Sequence, residues 1–340
     1  AFHLSDSFFM AIQGVDKVAL ESDPSMWMSE MFHENYIDEF GSQYLVRPYI
    51  RNFYKEAYSF ESLESKLLGR VISHNNYLMN GMLYRNSMIN TEHEESTYLD
   101  MYIYQAGRKL GKDVIGLEDF IESQRLVEKS NKPEKDKALL RKYKKQYKKL
   151  VKNGKRPGEM LEDAYRRGDL DLLDSLQRLM NPSRNHQRFM LHERNRIMAD
   201  NMDSIMQIGQ TLFVGIGSAH LPGDSGVIEM LRDMGYQLRP VTRVIGEYSR
   251  DFRDKLEKTY IDVNFKTQYA SDGAFQIDLP GRMFEIPENF GMKFYLCPEM
   301  INGTQFNISR VRTHGPLVHE SKEYMMERID SLLYENIPGK

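Results

Sequence analysis

Cysteine is almost absent. Cys297 is the single one in 340 residues, which excludes an internal disulfide framework and a cysteine-rich zinc site. No apolar run approaches the roughly 20 residues needed to cross a bilayer. An excess of charge of one sign is lacking too, because 46 basic and 49 acidic residues leave a net −3, too little for a global field that would draw nucleic acid or anionic lipid. Several familiar catalytic patterns are also missing. His33, His93, His192 and His319 are each followed by Glu, yet none continues as His-Glu-x-x-His. Gly215-Ile-Gly217-Ser-Ala-His220 has His where a dinucleotide fingerprint needs its third Gly, and Gly107 to Lys112 falls one residue short of a P-loop. No Gly-x-Ser-x-Gly elbow occurs. What remains is a globular chain, 41% hydrophobic, with material for one large core and a smaller second one.

Two segments, Ala1-Phe-His3-Leu-Ser-Asp6 and Gly217-Ser-Ala-His220-Leu-Pro-Gly223, each put a His where a strand would give way to a loop. In the second, Thr211-Leu-Phe-Val-Gly-Ile216 reads as a buried strand, and the small Gly217, Ser218 and Ala219 permit a tight exit that leaves His220 at its C-terminal end. Open α/β sheets bind ligands at that end. Lys17-Val-Ala-Leu-Glu21 and Asp113-Val-Ile-Gly-Leu-Glu118 read as two more strands, both ending on carboxylates. His3, Glu21, Glu118 and His220 would then converge on one rim, a mixed nitrogen and oxygen set able to hold a divalent metal. Singly, such a Glu is usually a helix cap and such a His a hydrogen-bonded polar residue. Their repetition at equivalent positions favours a site.

Between these segments, residues 31 to 95 are rich in aromatics and Met, with Phe32, Tyr36, Phe40 and Tyr44 at helical spacing, which predicts helices packed over the strand ends. Tyr98 to Glu118 reads as a helix followed by a strand. From Lys132 to Arg156, Lys and Arg interleave with Leu139, Leu140, Tyr143, Tyr147, Leu150 and Val151, one apolar helical stripe with a basic back. Such a surface can meet phosphates, but a solvated insertion helix packed on its stripe is favoured because the rest of the chain is not basic. Asp163 to Met180 and Asn181 to Ile208 read as two helices broken at Pro182. A helix through Val227, Ile228, Leu231 and Met234 should follow His220, capped by Asp224 or Ser225 and stopped at Gly235. Beyond about Arg239 the period changes to two, in 274–279, 292–297 and 304–309, before an amphipathic helix over Glu320 to Leu333. The expected architecture is an α/β domain over residues 1–241, carrying a basic helical insertion at about 130–157, then a smaller α+β domain over 242–340.

His3, Val18-Ala-Leu-Glu21-Ser-Asp23, Tyr98-Leu-Asp100 through Gly116-Leu-Glu118, Gly168-Asp-Leu, Glu193-Arg-Asn-Arg-Ile-Met198 and Phe213-Val-Gly-Ile-Gly-Ser-Ala-His220-Leu-Pro-Gly follow one another in an order that resembles the TraB/GumN (Tiki-like) family, whose hallmark is a pair of Gly-x-x-His motifs with dispersed glutamates. The resemblance covers about residues 1 to 241. Its first Gly-x-x-His would need a Gly before Ala1 and a strand before that, so the chain is expected to be a piece of a longer protein. The C-terminal part resembles, faintly, the opening of a PsbP/Mog1-like domain through Phe275-Gln-Ile-Asp-Leu-Pro-Gly281.

The resemblance implies a mixed sheet with helices on its faces, as in Tiki and erythromycin-esterase-like proteins, and a bacterial, metal-dependent hydrolase acting on peptides. His3, Glu21, Glu118 and His220 would hold a divalent transition metal such as Mn²⁺, Co²⁺ or Zn²⁺. Glu193 would be the general base, and Arg194 would pair with a carboxylate or stabilise an oxyanion. The other reading is a non-catalytic binder of peptide, haem or another small ligand, which the Tyr and Met richness would suit. An exported or cell-envelope setting is favoured. The partners expected are a peptide or protein substrate and a protein docking on the C-terminal domain, with no nucleic acid and no transmembrane segment.

Overall fold

Val18 and Ala19 are neighbours in a strand, so they point to opposite faces of a sheet, and both are fully buried. That alone requires cover on both sides. The computed structural model, which describes residues 4–31, 98–152, 154, 156–241, 246–289, 292–311, 321–324 and 326–327, supplies it. Strands β1 (Lys17–Leu20), β2 (Asp113–Gly116) and β3 (Leu212–Gly215) form a parallel sheet in the order β2-β1-β3. The chain has the expected α/β fold, and its described central strands are all parallel. On one face the helix Leu99–Lys109 brings Gly107 so close to Val18 and Val114 that a Cβ there would lie 2.9 Å from a Val114 methyl. On the other, Ala19 joins Leu117, Met198, Ala199, Met202, Val227 and Leu231 in one buried cluster. The helices Glu193–Gln207 and Val227–Asp233 thus pack over the sheet.

The sheet ends are tied by polar contacts. Asp16 accepts from the Thr211 amide and hydroxyl at 2.9 and 2.7 Å, aligning the starts of β1 and β3. Asp6, first residue of the helix Asp6–Gly14, accepts from the amides of Gly246 and Ser249 at 3.0 and 2.9 Å. These bonds cap the helix Glu247–Lys258 and hold it to the same unit.

Several elements differ from the sequence expectation. Pro24 opens a further helix, Pro24–Met31, since proline at a first helical position loses no hydrogen bond. The single helix expected over Asp163 to Met180 is two, Pro157–Arg167 and Leu170–Met180. Gly168 ends the first in a left-handed conformation at φ 67°, and Asp169 caps the second by accepting from the Leu172 amide at 3.1 Å. Asn181 to Ile208 is likewise divided, into a π-helical stretch His186–His192 and the α-helix Glu193–Gln207. The helix after His220 begins at Val227 with Gly226, not Asp224 or Ser225, at its cap. The aromatic region 32–97, His3 and most of the helix expected over Glu320 to Leu333 lie outside the described residues.

The described chain divides into two compact units, one holding the residues up to Glu30 with Tyr102–Thr259, the other Met31, residues 98–101 and the residues from Tyr260 onward. The second is antiparallel, as its period-two strands predict. It contains the pair β4 (Lys266–Tyr269) and β5 (Gln276–Leu279), and the meander β6 (Phe284–Asn289), β7 (Met292–Glu299) and β8 (Thr304–Val311). Phe294, Tyr295, Leu296 and Cys297 are its buried centre, and burial pushes the Cys297 thiol above its ordinary pKa.

Candidate functional site

The pairing of β1 with β2 continues past both strands, through Leu117 N to Leu20 O and Glu118 N to Glu21 O, each 2.8 Å. Glu21 and Glu118 therefore emerge side by side at the C-terminal rim. A third side chain comes from above. In the helix Glu193–Gln207 the apolar residues Met198, Ala199 and Met202 fix which face is buried, and Arg194 and Asn195, one turn earlier on that face, are buried with them. Asn201 anchors the helix by donating to Leu117 O at 2.7 Å.

Arg194 joins the two carboxylates. Its Nε donates to Glu118 Oε1 and Oε2 at 2.9 and 3.0 Å, and its Nη2 donates to Glu21 Oε2 at 2.8 Å and to Glu118 Oε2. Ser123 Oγ donates to Glu118 Oε2 at 3.3 Å. Glu118, expected to offer oxygens to a metal, spends them on Arg194 and Ser123. Burial pushes Glu118 above the usual carboxylate range against the pull of Arg194, while burial of Arg194 is outweighed by Glu118 and Glu21, which hold its proton more firmly than usual. A guanidinium does not deprotonate, so Arg194 stays charged beside both carboxylates.

The other oxygen of Glu21 faces a different neighbour. Oε1 accepts from the Gly217 amide at 2.6 Å and lies 3.8 Å from His220 Nε2. A Cβ on Gly217 would sit 3.0 Å from that oxygen, so the absent side chain is what admits the carboxylate. His220 lies in the short 3-10 turn Ser218–His220 and is buried. Its Nδ1 is 2.6 Å from Asn195 Oδ1, and Asn195 Nδ2 donates to Ser225 O at 2.6 Å. Since Ser225 O can only accept, Asn195 is fixed with Oδ1 toward the imidazole, and Nδ1 must be the protonated nitrogen. Nε2 is left as a lone pair facing Glu21. Burial, reinforced by the charge of Arg194 and opposed by Glu21, lowers the His220 pKa to about 4, so the ring is neutral at physiological pH. Burial alone would push Glu21 up, but the charge that His220 gains in acid, the Gly217 amide and Arg194 together hold it below the usual range.

A stability prediction follows. Between pH 6.5 and about 4 the unfolded chain protonates this histidine and the folded one does not, so stability present above pH 6.5 is lost as pH falls toward about 4. The difference corresponds to roughly 3 kcal/mol in all, and about 2 kcal/mol of it by pH 5. Urea denaturation of metal-free wild type and His220→Gln at pH 7 and pH 5 measures it. The wild type should lose that much more than the variant, and parallel losses would reject a neutral buried His220.

Glu193 lies elsewhere. It neighbours Arg194 in sequence but not on the helix face, and it pairs with Arg188 at 3.5 Å and Arg196 at 3.4 Å. Asn195, Ser123 and the Gly217 amide were not anticipated; the helical phase set by Met198 and Met202 was the available signal for Asn195. Among the described residues no three His, Cys, Asp or Glu side chains gather as a metal-ligand group. The two donors that are present, His220 Nε2 and Glu21 Oε1, lie within the separation that two ligands with bonds of about 2 Å can span, and their nitrogen and oxygen chemistry suits a divalent transition ion. His3 lies outside the described residues. A family model described as TraB/PrgY/gumN matches residues 53–240, a span that includes Glu118, Arg194 and His220. The chain matches no curated protein and no solved structure.

Proposed function

Because the chain belongs to the TraB/PrgY/gumN family and carries a neutral imidazole aimed at an ionised carboxylate on the sheet rim, we propose that it is a metal-dependent hydrolase acting on peptides. The observation that carries this reading is the unprotonated His220 Nε2 beside Glu21. His220 Nε2 and Glu21 Oε1 would hold the ion, with His3 as the further donor that the family resemblance implies. A divalent ion there supplies a bound water acidified toward neutral pH.

The remaining residues orient and charge the site. Asn195 keeps Nε2 of His220 free of its proton, the kind of outer support that metal-bound histidines ordinarily need. Arg194 holds Glu21 ionised and fixes its Oε2, which leaves Oε1 as the oxygen directed at His220. Glu118 balances the guanidinium, so the rim is not left cationic where a cation is to bind. Glu193 is turned toward Arg188 and Arg196. Next to the His220 turn, Leu161, Tyr165 and Leu173 line a cleft of about 370 Å³ that Ser218 and Ala219 close. Its apolar walls suit a side chain of a peptide better than a sugar or a phosphate.

Metal analysis of the purified protein should find a divalent transition metal, and a chelator should abolish peptide turnover that Mn²⁺, Co²⁺ or Zn²⁺ restores. Turnover indifferent to the chelator would sink the metal reading. A stoichiometric ligand bound without turnover would establish the binder instead.

A further inference from the structure

The helix Lys137–Lys152 has eight Lys or Arg among its 16 residues and no acid, in a chain whose net charge is −3. The rest of the chain therefore carries −11, the difference between −3 and +8. All eight cations are exposed, and none makes an ion pair with a described residue. The acids just before the helix are engaged elsewhere: Asp136 caps it at the Leu139 amide and pairs with Arg184, and Glu134 accepts from the Arg184 amide.

The apolar stripe is only partly used by the protein. At 100° per residue, Leu139, Leu150, Tyr143, Tyr147, Leu140 and Val151 occupy an arc of about 120°, and the cations fill most of what remains. Leu139, Tyr143 and Leu150 are half-buried, whereas Leu140, Tyr147 and Val151, along the edge next to the basic arc, are 37, 43 and 50% exposed. No residue of the helix is fully buried. The expectation that the helix packs on its whole stripe thus holds for one edge of it.

We propose that the Lys137–Lys152 helix is a peripheral docking surface for an anionic phospholipid bilayer. A basic arc with no ion pair to a described residue, flanked by exposed Leu, Tyr and Val, is what an interfacial helix presents, with cations at the headgroups and apolar side chains below them. A nucleic acid would match the cations but leave Leu140 and Val151 without a use, since phosphates gain nothing from aliphatic contact. No helix among the described residues is long and apolar enough to cross a membrane, so this attachment is peripheral. It is independent of the rim chemistry.

The test floats the whole chain with vesicles of phosphatidylcholine, with or without phosphatidylglycerol. Binding is expected only to the anionic vesicles and should weaken with salt. Reversing Lys144, Lys145, Lys148 and Lys149 to Glu should reduce partitioning at least roughly tenfold. A second variant, Leu140→Ser with Tyr147→Ser and Val151→Ser, keeps the charge and should also bind several-fold more weakly. Both changes sit on exposed positions, so unchanged far-ultraviolet circular dichroism is expected. Equal binding to neutral vesicles, no loss in the charge reversal, wild-type partitioning of the apolar variant, or displacement from vesicles by a short duplex DNA would each overturn the proposal.

Discussion

Replacing Arg194 with alanine is expected to destabilise the protein by about 3–5 kcal/mol, the largest loss from any single change at the rim. The side chain is 7% exposed and its partner Glu118 is 2% exposed, so removing the guanidinium strands one carboxylate in the interior and leaves Glu21 with only the Gly217 amide. Burying an unpaired charge costs more than the pair was worth, because neither water nor another cation can reach it. Lysine should rescue only part, since an ammonium cannot bridge Glu118 through two nitrogens and reach Glu21 as well. The loss should also depend on pH. Without Arg194 both carboxylates would have raised folded pKa values, so the variant loses stability as pH rises through them and recovers part of it in acid. Denaturant midpoints at pH 8 and pH 5 measure this, and a double variant, Arg194→Met with Glu118→Gln, should stand closer to wild type than Arg194→Ala. A cost under about 1 kcal/mol at both pH values would mean that the charges are solvated and that the buried network does not organise the rim.

The sheet and the rim residues Glu21, Glu118 and His220 were legible in the sequence for one reason. Short apolar runs bounded by small residues or carboxylates read as buried strands, and where a strand ends is where its next side chain leaves the sheet. Lys17–Leu20, Asp113–Gly116 and Leu212–Gly215 lie inside the segments read that way. What the side chains do to one another was not legible. Glu118 is as well placed for a metal as for an arginine until Arg194 is known to lie above it, and that depends on how a helix 76 residues later is rotated. Rotation also separates Glu193 from Arg194. Adjacent residues on a helix differ by about 100°, and here that step leaves Arg194 and Asn195 on the buried face and turns Glu193 toward Arg188 and Arg196. The division at Gly168 and the π-helical stretch His186–His192 were missed because both lie within otherwise continuous helical patterns, and a glycine there is as compatible with tolerance as with termination.

Asn195 gives the sharpest test of the rim chemistry, since it touches no substrate in the proposed scheme and acts only through His220. Asn195→Ala removes the acceptor on Nδ1, lets the proton move to Nε2, and should weaken metal binding by roughly 10–100-fold, the usual cost of losing such support. Peptide turnover should then return as metal is raised, because the imidazole is still present. His220→Ala removes the nitrogen itself, and its turnover should fall to background at every metal concentration while the protein stays folded. Glu21→Ala should behave like His220→Ala in turnover but lose more stability, since it also unpairs part of Arg194. Titrating Mn²⁺ or Zn²⁺ against turnover and against bound metal for the three variants separates these outcomes. If Asn195→Ala cannot be rescued by metal, its role is to hold the Ser225 loop and not the tautomer. If His220→Ala retains metal-dependent turnover, the rim is not the catalytic centre.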